Sequence, residues 1–434
     1  MKLNYKRTIF IGFAFFAIIA FWQFYDNEIP KILKYTFGLG ETATGAVMAM
    51  DNVLALFLLP VFGTLSDKTE TKIGKRMPYI IIGTVLSIIF LFVLIAVARN
   101  SGSLLLFIGI LLLLLISMGI FRSPAVSLMP DLTPAPVRSS ANAIINLMGT
   151  LGGIYVLVMT KLLLVDGDNP AAADYMPFTL SVIICMAVGI GILVLKIKEN
   201  AIKKEIKEEG GLLSLGDELE EGSSFREKTT VSKEVEKSLR FLLVSVFLWY
   251  TAYNAVTTAF SRFVVEVWDM RNGDYATCLL VATVAATLSY VPIAYISGEI
   301  GRKKTILIGI VIMATGYITA GLFPSFSFFI NICFVMVGIG WATINVNSYP
   351  MVVEMCKAGD IGKFTGLYYT FSMAAQVFTP IFSGFLLEHI SYKTLFPYSF
   401  IFSVLAFMTM LMVKHGDTRP DKKKSILENF DIDD

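Results

Sequence analysis

The chain is built from long apolar runs, and this constrains it more than any other feature. A run of about 20 such residues finds a stable place in the hydrocarbon of a bilayer, crossed as a helix whose backbone groups are all satisfied internally. Twelve runs meet that length. The first six are about Thr8–Thr36, Glu41–Ser66, Met77–Ala98, Ser103–Met129, Ser139–Val165 and Met176–Lys196. The second six are about Lys237–Val265, Gly273–Ile296, Lys304–Leu322, Phe326–Pro350, Gly362–Leu387 and Thr394–Val413, with only a Pro324-Ser325 turn between the ninth and tenth. Composition agrees. Of the 434 residues 55% are hydrophobic and 16% charged, whereas soluble domains average about 25% charged.

Several classes fall away. A net charge of +2 leaves no basic excess for nucleic-acid phosphates. Cys185, Cys278, Cys333 and Cys356 lack metal-ligand spacing and read as small packing residues. The first apolar run is too long for a cleavable leader and has no small-residue cleavage site. The two histidines, His389 and His415, join no nucleophile–base or metal constellation, so an enzyme is not expected and no cofactor is implied.

The basic residues set the topology. Lys31, Lys34, Arg99, Lys161, Arg262, Arg271 and Lys393 fall at one set of helix ends, and Arg122 falls within a span. The remainder of the 36 gather at the other ends, with the two chain termini. Both termini are therefore expected in the cytoplasm, with the chain a multi-pass protein of the cytoplasmic membrane. Four parts are expected: a six-helix half over 1–197, a charged linker over 198–240, a second six-helix half over 241–413 and a tail over 414–434. The linker mixes both charge signs with Gly and Ser and reads as a solvated tether, partly helical near Ile202–Glu209, with regulation a second possibility.

The halves repeat. Gly63-Thr64-Leu65-Ser66-Asp67-Lys68 follows the second run, and Gly298-Glu299-Ile300-Gly301-Arg302-Lys303 follows the eighth. Ser127-Leu128-Met129-Pro130-Asp131, with Arg138 beyond it, follows the fourth; Ser348-Tyr349-Pro350-Met351, with Glu354 and Lys363, follows the tenth. Repeated halves joined by a charged linker suggest a transporter whose halves rock about a central site.

At these residues the chain resembles the major facilitator superfamily over essentially its whole length. The longer form Gly63-x-x-x-Asp67-Lys68-Thr69-x-Thr71-x-x-Gly74-Lys75-Arg76-x-Pro78 is similar to the glycoside–pentoside–hexuronide:cation symporter group. Met50-Asp51-Asn52 and Arg122-Ser123-Pro124-Ala125-Val126-Ser127-Leu128-Met129-Pro130-Asp131-Leu132 look like its sucrose-transporter-related bacterial branch. The resemblance implies an all-α fold of twelve transmembrane helices in two pseudo-symmetric halves, and cation-driven uptake of a sugar or glycoside. One departure matters. The carboxylates that the melibiose-type sodium symporters carry on helix 2 are replaced by Ala55-Leu56-Phe57-Leu58-Leu59, and a helix 4 carboxylate by Arg122. Their sodium site is not carried over, which points to protons as the coupling ion.

Charges at membrane depth are costly and so are candidates for function. At about 1.5 Å per residue, Asp51 lies roughly 24 Å from the Asp67 end of its helix, Asp26 roughly 28 Å from Arg7, and Arg122 roughly 14 Å from Asp131. Asp51, Asp26 and Arg122 are the ion-coupling candidates, with a plain hydrogen bond from Asp51 to a neighbouring helix, or a structural pair at Arg122, as the alternatives. Asp26 and Glu28 precede Pro30, and for both the alternative is a wet outer mouth. Arg262, Glu266 and Asp269 mark the outer end of helix 7, with a gate there as a possibility, and Lys161 reads as snorkelling to the interface.

Sugars need polar hydrogen bonds plus an aromatic face. In the superfamily helices 1, 4, 7 and 10 line the cavity, which makes Trp22, Arg122, Tyr253, Asn254, Trp341 and Asn345, with Gln376 on helix 11, the substrate-binding candidates. Gln23, Ser123, Trp249, Tyr250 and Asn347 are further polar or aromatic residues on the same helices. Ordinary packing is the competing role for every aromatic. Asp67, Arg76, Asp131, Arg138 and Glu354 are gating candidates by the same resemblance. The expected partners are a small sugar or glycoside, a coupling cation and the lipid bilayer, with no nucleic acid and a monomeric chain. An exporter, or a carrier of a non-sugar solute on the same fold, is the alternative.

Overall fold

A computed structural model of the chain describes residues 3–100, 102–134, 137–165, 170–206, 233–355 and 361–417. Their architecture is all-helical. The long helices are α1 (Tyr5–Lys31), α2 (Glu41–Asp67), α3 (Met77–Asn100), α4 (Leu104–Asp131), α5 (Arg138–Leu163), α6 (Met176–Lys196), α7 (Lys233–Trp268), α8 (Tyr275–Ile300), α9 (Arg302–Gly321), α10 (Ile330–Glu354), α11 (Ile361–His389) and α12 (Leu395–Leu411). Among the described residues twelve spans are long and apolar enough to cross a membrane.

Local chemistry explains where several helices start. The Asn4 side chain accepts the Arg7 N–H at 3.0 Å and opens α1; Ser103 caps α4 through the Leu106 N–H. Pro30 near the end of α1 is followed by a wider π turn over Ile32–Thr36, the kind of adjustment an imino acid forces on a helical ladder.

Two differences from the sequence reading stand out. Residues 322–329 form the connection between α9 and α10, so α10 begins at Ile330 and not near Phe326. Phe326, Phe328 and Phe329 are apolar but sit outside the helix, a boundary that hydropathy alone cannot place. Second, α7 is already helical at Lys233, the first described residue after 206 and four residues before the Lys237 expected. Residues 199–206 are also helical, while 207–232 of the charged segment, and 418–434 of the tail, lie outside the described residues.

The halves have separate apolar cores. One joins α1 to α6 through buried Phe21, Phe24, Phe107, Phe121 and Phe178. The other joins α7 to α12 through Trp249, Phe260, Tyr317 and Phe334, with buried Leu157 of α5 and partly buried Tyr35 contributed by the first half. Large apolar side chains such as Leu105, Leu195, Leu288 and Ile401 are exposed, as expected where lipid is the solvent. Cys185, Cys278 and Cys333 are free thiols in these buried surroundings; Cys356 lies outside the described residues.

Both described ends of the chain lie at one end of the bundle, here the terminal face; the α1–α2 and α7–α8 connections lie at the opposite face. The halves touch most closely near the opposite face, where α2 crosses α11. A Cβ on Gly45 would overlap the Pro380 carbonyl, so only glycine permits this approach.

Candidate functional site

In the first half, α1, α2 and α4 bring together Trp22, Tyr25, Asp26, Asp51 and Arg122. The Arg122 guanidinium lies 5.6 Å from the centre of the Trp22 ring, and its charge acts on both Asp26 and Asp51. Trp22 packs edge-on against Tyr25, and the Tyr25 hydroxyl reaches the Met48 carbonyl of α2 at 3.5 Å. Asp26, Asp51 and Arg122 are half-buried. Asp51 accepts from both the backbone N–H of Asn52 (2.6 Å) and its side-chain amide (2.7 Å). Its local partner is thus the adjacent residue on its own helix. The indole Nε1 of Trp22 is buried without an acceptor among the described residues.

In the second half, Tyr253 of α7 lies flat on Trp341 of α10, with centroids 3.8 Å apart and planes 6° from parallel. Tyr250 meets the same indole edge-on at 5.1 Å. One Trp341 face is therefore covered by protein. Asn254 is half-buried, and its amide nitrogen lacks an acceptor among the described residues. Asn345 is buried and Gln376 half-buried.

Three residues from the same helices serve packing. Trp249 has no exposed surface and belongs to the apolar core. Ser123 donates to the Leu59 carbonyl at 2.8 Å and ties α4 to α2. Asn347 accepts from Ser297 of α8 and donates to the Thr343 carbonyl at 2.9 Å. Hydropathy places such residues at the right depth, but not on the right side of their helix.

The opposite face carries a polar seal between the halves. Arg262 of α7 donates to Glu41 of α2 at 2.8 Å, and both are nearly inaccessible. Lys34 bridges Glu41 (3.3 Å) and Glu266 (2.8 Å). Tyr35 donates to Glu266 at 3.0 Å, Tyr392 donates to Glu41, and the Thr42 N–H donates to Glu388 at 2.8 Å. Deeper in, Glu28 pairs with Lys31 at 3.3 Å and accepts from Tyr275 of α8, while Ser261 donates to the Asn27 carbonyl at 3.0 Å.

The sequence reading of Glu28 as part of a wet mouth is corrected here: its side chain has no exposed surface. Lys161 does not simply snorkel; it pairs with Asp274 across the halves. Arg262 and Glu266 are in the seal, whereas Asp269 pairs with Arg271 beside it. Lys34, Glu41, Tyr275 and Tyr392 were missed. For Lys34 and Glu41 the one sequence signal is charge of opposite sign at helix ends that lie on the same face; the two tyrosines carry no such signal.

The terminal-face clusters close within each half. Arg76 bonds Asp67 at 2.5 Å and Asp131 at 2.9 Å, Lys75 bonds both acids, and Arg138 donates to the Thr133 carbonyl. Glu199, with no exposed surface, accepts the backbone N–H groups of Lys75, Arg76 and Met77 at 3.0–3.1 Å. In the second half Arg302 bonds Glu354 at 2.7 Å. The side chain of Lys363 lies outside the described residues.

Solved structures of similar shape are transporters. The nucleoside transporter NupG aligns with a TM-score of 0.69 at 15% identity, over 94% of this chain and 100% of that one. A POT family transporter in complex with 5-aminolevulinic acid aligns with a TM-score of 0.70 at 13% identity, over 94% and 95%. A peptide transporter POT structure aligns with a TM-score of 0.70 at 12% identity, over 95% of each chain. These low identities speak to the fold. The family described as MFS/sugar transport protein matches residues 10–413. With twelve spans, two cores and a seal between the halves, the chain belongs to that family of major facilitator membrane transporters.

Proposed function

We propose that the protein is a proton-coupled symporter that takes up a sugar or glycoside by alternating access. It would reside in the cytoplasmic membrane with both termini inside. The observation that supports this reading is the placement of Arg122 within a span, against Trp22 and in electrostatic reach of Asp26 and Asp51. A half-buried cation at membrane depth with two carboxylates nearby has alternative states: the acids share its charge, or one takes a proton and releases it. In this scheme proton binding at Asp51 or Asp26 frees Arg122 to hydrogen-bond the sugar.

Substrate would lie between the halves, held by Trp22 and Arg122 on one side and by Tyr253, Asn254, Trp341, Asn345 and Gln376 on the other. The unpartnered Trp22 Nε1 and Asn254 amide are donors for ring oxygens or hydroxyls. Pairing at the opposite face, with terminal-face charges closed within each half, fits a transporter sealed outside and accessible from the cytoplasm. Asp67, Arg76, Asp131, Arg138 and Glu354 then act as conformational residues and do not touch substrate.

The test is sugar-induced pH change in proteoliposomes containing the purified protein, across a panel of mono- and disaccharides. Proton movement with at least one sugar is expected. Sodium-dependent uptake without pH change would remove the proton assignment. Absence of sugar transport under either ion would favour a carrier of another solute.

A further inference from the structure

Between the halves lies a cavity of about 120 Å³ lined by Thr150 of α5, Tyr253 of α7, Thr283, Thr287 and Tyr290 of α8, and Trp341 of α10. A space of this kind admits small polar groups such as the hydroxylated edge of a ring. Its position is informative. Thr150 lies 11 residues before Lys161 and Thr283 lies nine after Asp274. The cavity therefore sits roughly 14–16 Å inward of the Lys161–Asp274 pair that joins the same two helices.

The three threonines share a hydrogen-bond state. Thr150 donates to the Asn146 carbonyl at 3.1 Å, Thr283 to Leu279 at 2.9 Å and Thr287 to Thr283 at 2.8 Å. Each hydroxyl has spent its one proton on its own helix and keeps oxygen lone pairs. The threonine wall thus offers acceptors. Opposite stands the Tyr253–Trp341 stack, an apolar surface. A group that matches both walls donates several hydrogen bonds from one edge and presents C–H groups on the other side.

We infer that this cavity is a specificity subsite for one sugar ring, in which ligand hydroxyls donate to Thr150, Thr283 and Thr287 while the ring's C–H face meets the Tyr253–Trp341 stack. The inference rests on the sugar reading above and adds to it the residues that choose among sugars. Because Thr150 belongs to the first half and the other residues to the second, a ring seated here bridges α5 and α8.

The experiment is titration calorimetry of the purified full-length protein, using a sugar that the wild type binds and deoxy analogues lacking one hydroxyl each. Thr283→Val and Thr287→Val are expected to weaken the parent sugar about tenfold, the value of about one hydrogen bond. One deoxy analogue should bind wild type and variant alike, and Thr283→Ser should restore the parent affinity. As a check that does not require the valine variants to fold, a methanethiosulfonate reagent should label Thr287→Cys at least fivefold more slowly with sugar present. Unchanged affinities across the panel, together with unprotected labelling, would overturn the subsite while leaving the sugar reading intact. A wild type that binds no sugar would overturn both, and is recognised before any variant is made.

Discussion

Glu199 and Asp417 occupy equivalent places in the two halves. Glu199 follows α6 and accepts the N–H groups that lead into α3; Asp417 follows α12 and accepts the Lys303 N–H at the start of α9 at 2.9 Å. Each carboxylate lies against a glycine of positive φ, Gly74 (122°) and Gly301 (92°). A side chain there would be strained by the backbone and would overlap the acid. In each half the segment leaving the last helix thus fastens the loop that opens the third.

Glu199→Ala should therefore loosen the Asp67–Arg76–Asp131 cluster without touching substrate. Three N–H groups lose an acceptor where helix caps contribute about 1–2 kcal/mol. A fall of a few degrees in the apparent unfolding temperature by scanning fluorimetry is expected, with a smaller fall for Asp417→Ala. Equal thermal stability in wild type and Glu199→Ala would count against the fastening role.

Asp51→Asn and Asp26→Asn are expected to differ from Arg122→Ala. The amides cannot exchange a proton, so uphill accumulation of sugar should be lost while sugar exchange across proteoliposomes persists. Arg122→Ala should weaken binding itself, by tenfold or more, since a charge-assisted hydrogen bond contributes about 1.5–3 kcal/mol. Calorimetry beside counterflow separates the two. Accumulation that survives in both aspartate variants would remove them from coupling.

Breaking the opposite-face seal should change which side is open. Glu41→Gln leaves Arg262 without its counter-charge in the closed arrangement, where it is almost inaccessible, but hydrated once the halves part. Removing one partner of a buried pair costs about 3–5 kcal/mol, so at least a tenfold shift toward the state open at this face is expected. Labelling of Thr287→Cys, in the cavity between the halves, by a membrane-impermeant thiol reagent from the opposite side should accelerate accordingly.

Two tryptophans provide a contrast. Trp249→Ala removes a fully buried core side chain and should cost about 3–5 kcal/mol of stability. Trp341→Ala should leave the apparent unfolding temperature nearer wild type and weaken sugar binding about tenfold, the scale of an aromatic contact. Reversed phenotypes would place the ligand elsewhere.

The spans were legible because the bilayer leaves few options: about 20 apolar residues must cross as a helix, and the Lys and Arg ends sort the faces. Depth was also legible, so Asp26, Asp51 and Arg122 were found together. Azimuth was not. Trp249 and Trp341 look alike in sequence, yet one is core and the other lies in the aromatic stack with Tyr253. Partnership over long separations was hidden as well. Glu41 meets Arg262 and Tyr392 only after two separately cored halves have docked, and neither residue type nor spacing encodes that docking.

On α1, Asp26 and Glu28 are two residues apart and so face nearly opposite sides of the helix. Asp26 belongs with Asp51 and Arg122; Glu28 is locked to Lys31 and Tyr275. One helix thus carries the acid proposed to take the ion on one flank and a bolt of the opposite-face seal on the other. Under the proposed coupling, any roll of α1 that answers to a proton also strains the bolt, which ties leak to coupling efficiency. Mutants selected for faster turnover should then collect along this helix and lose gradient as they gain speed.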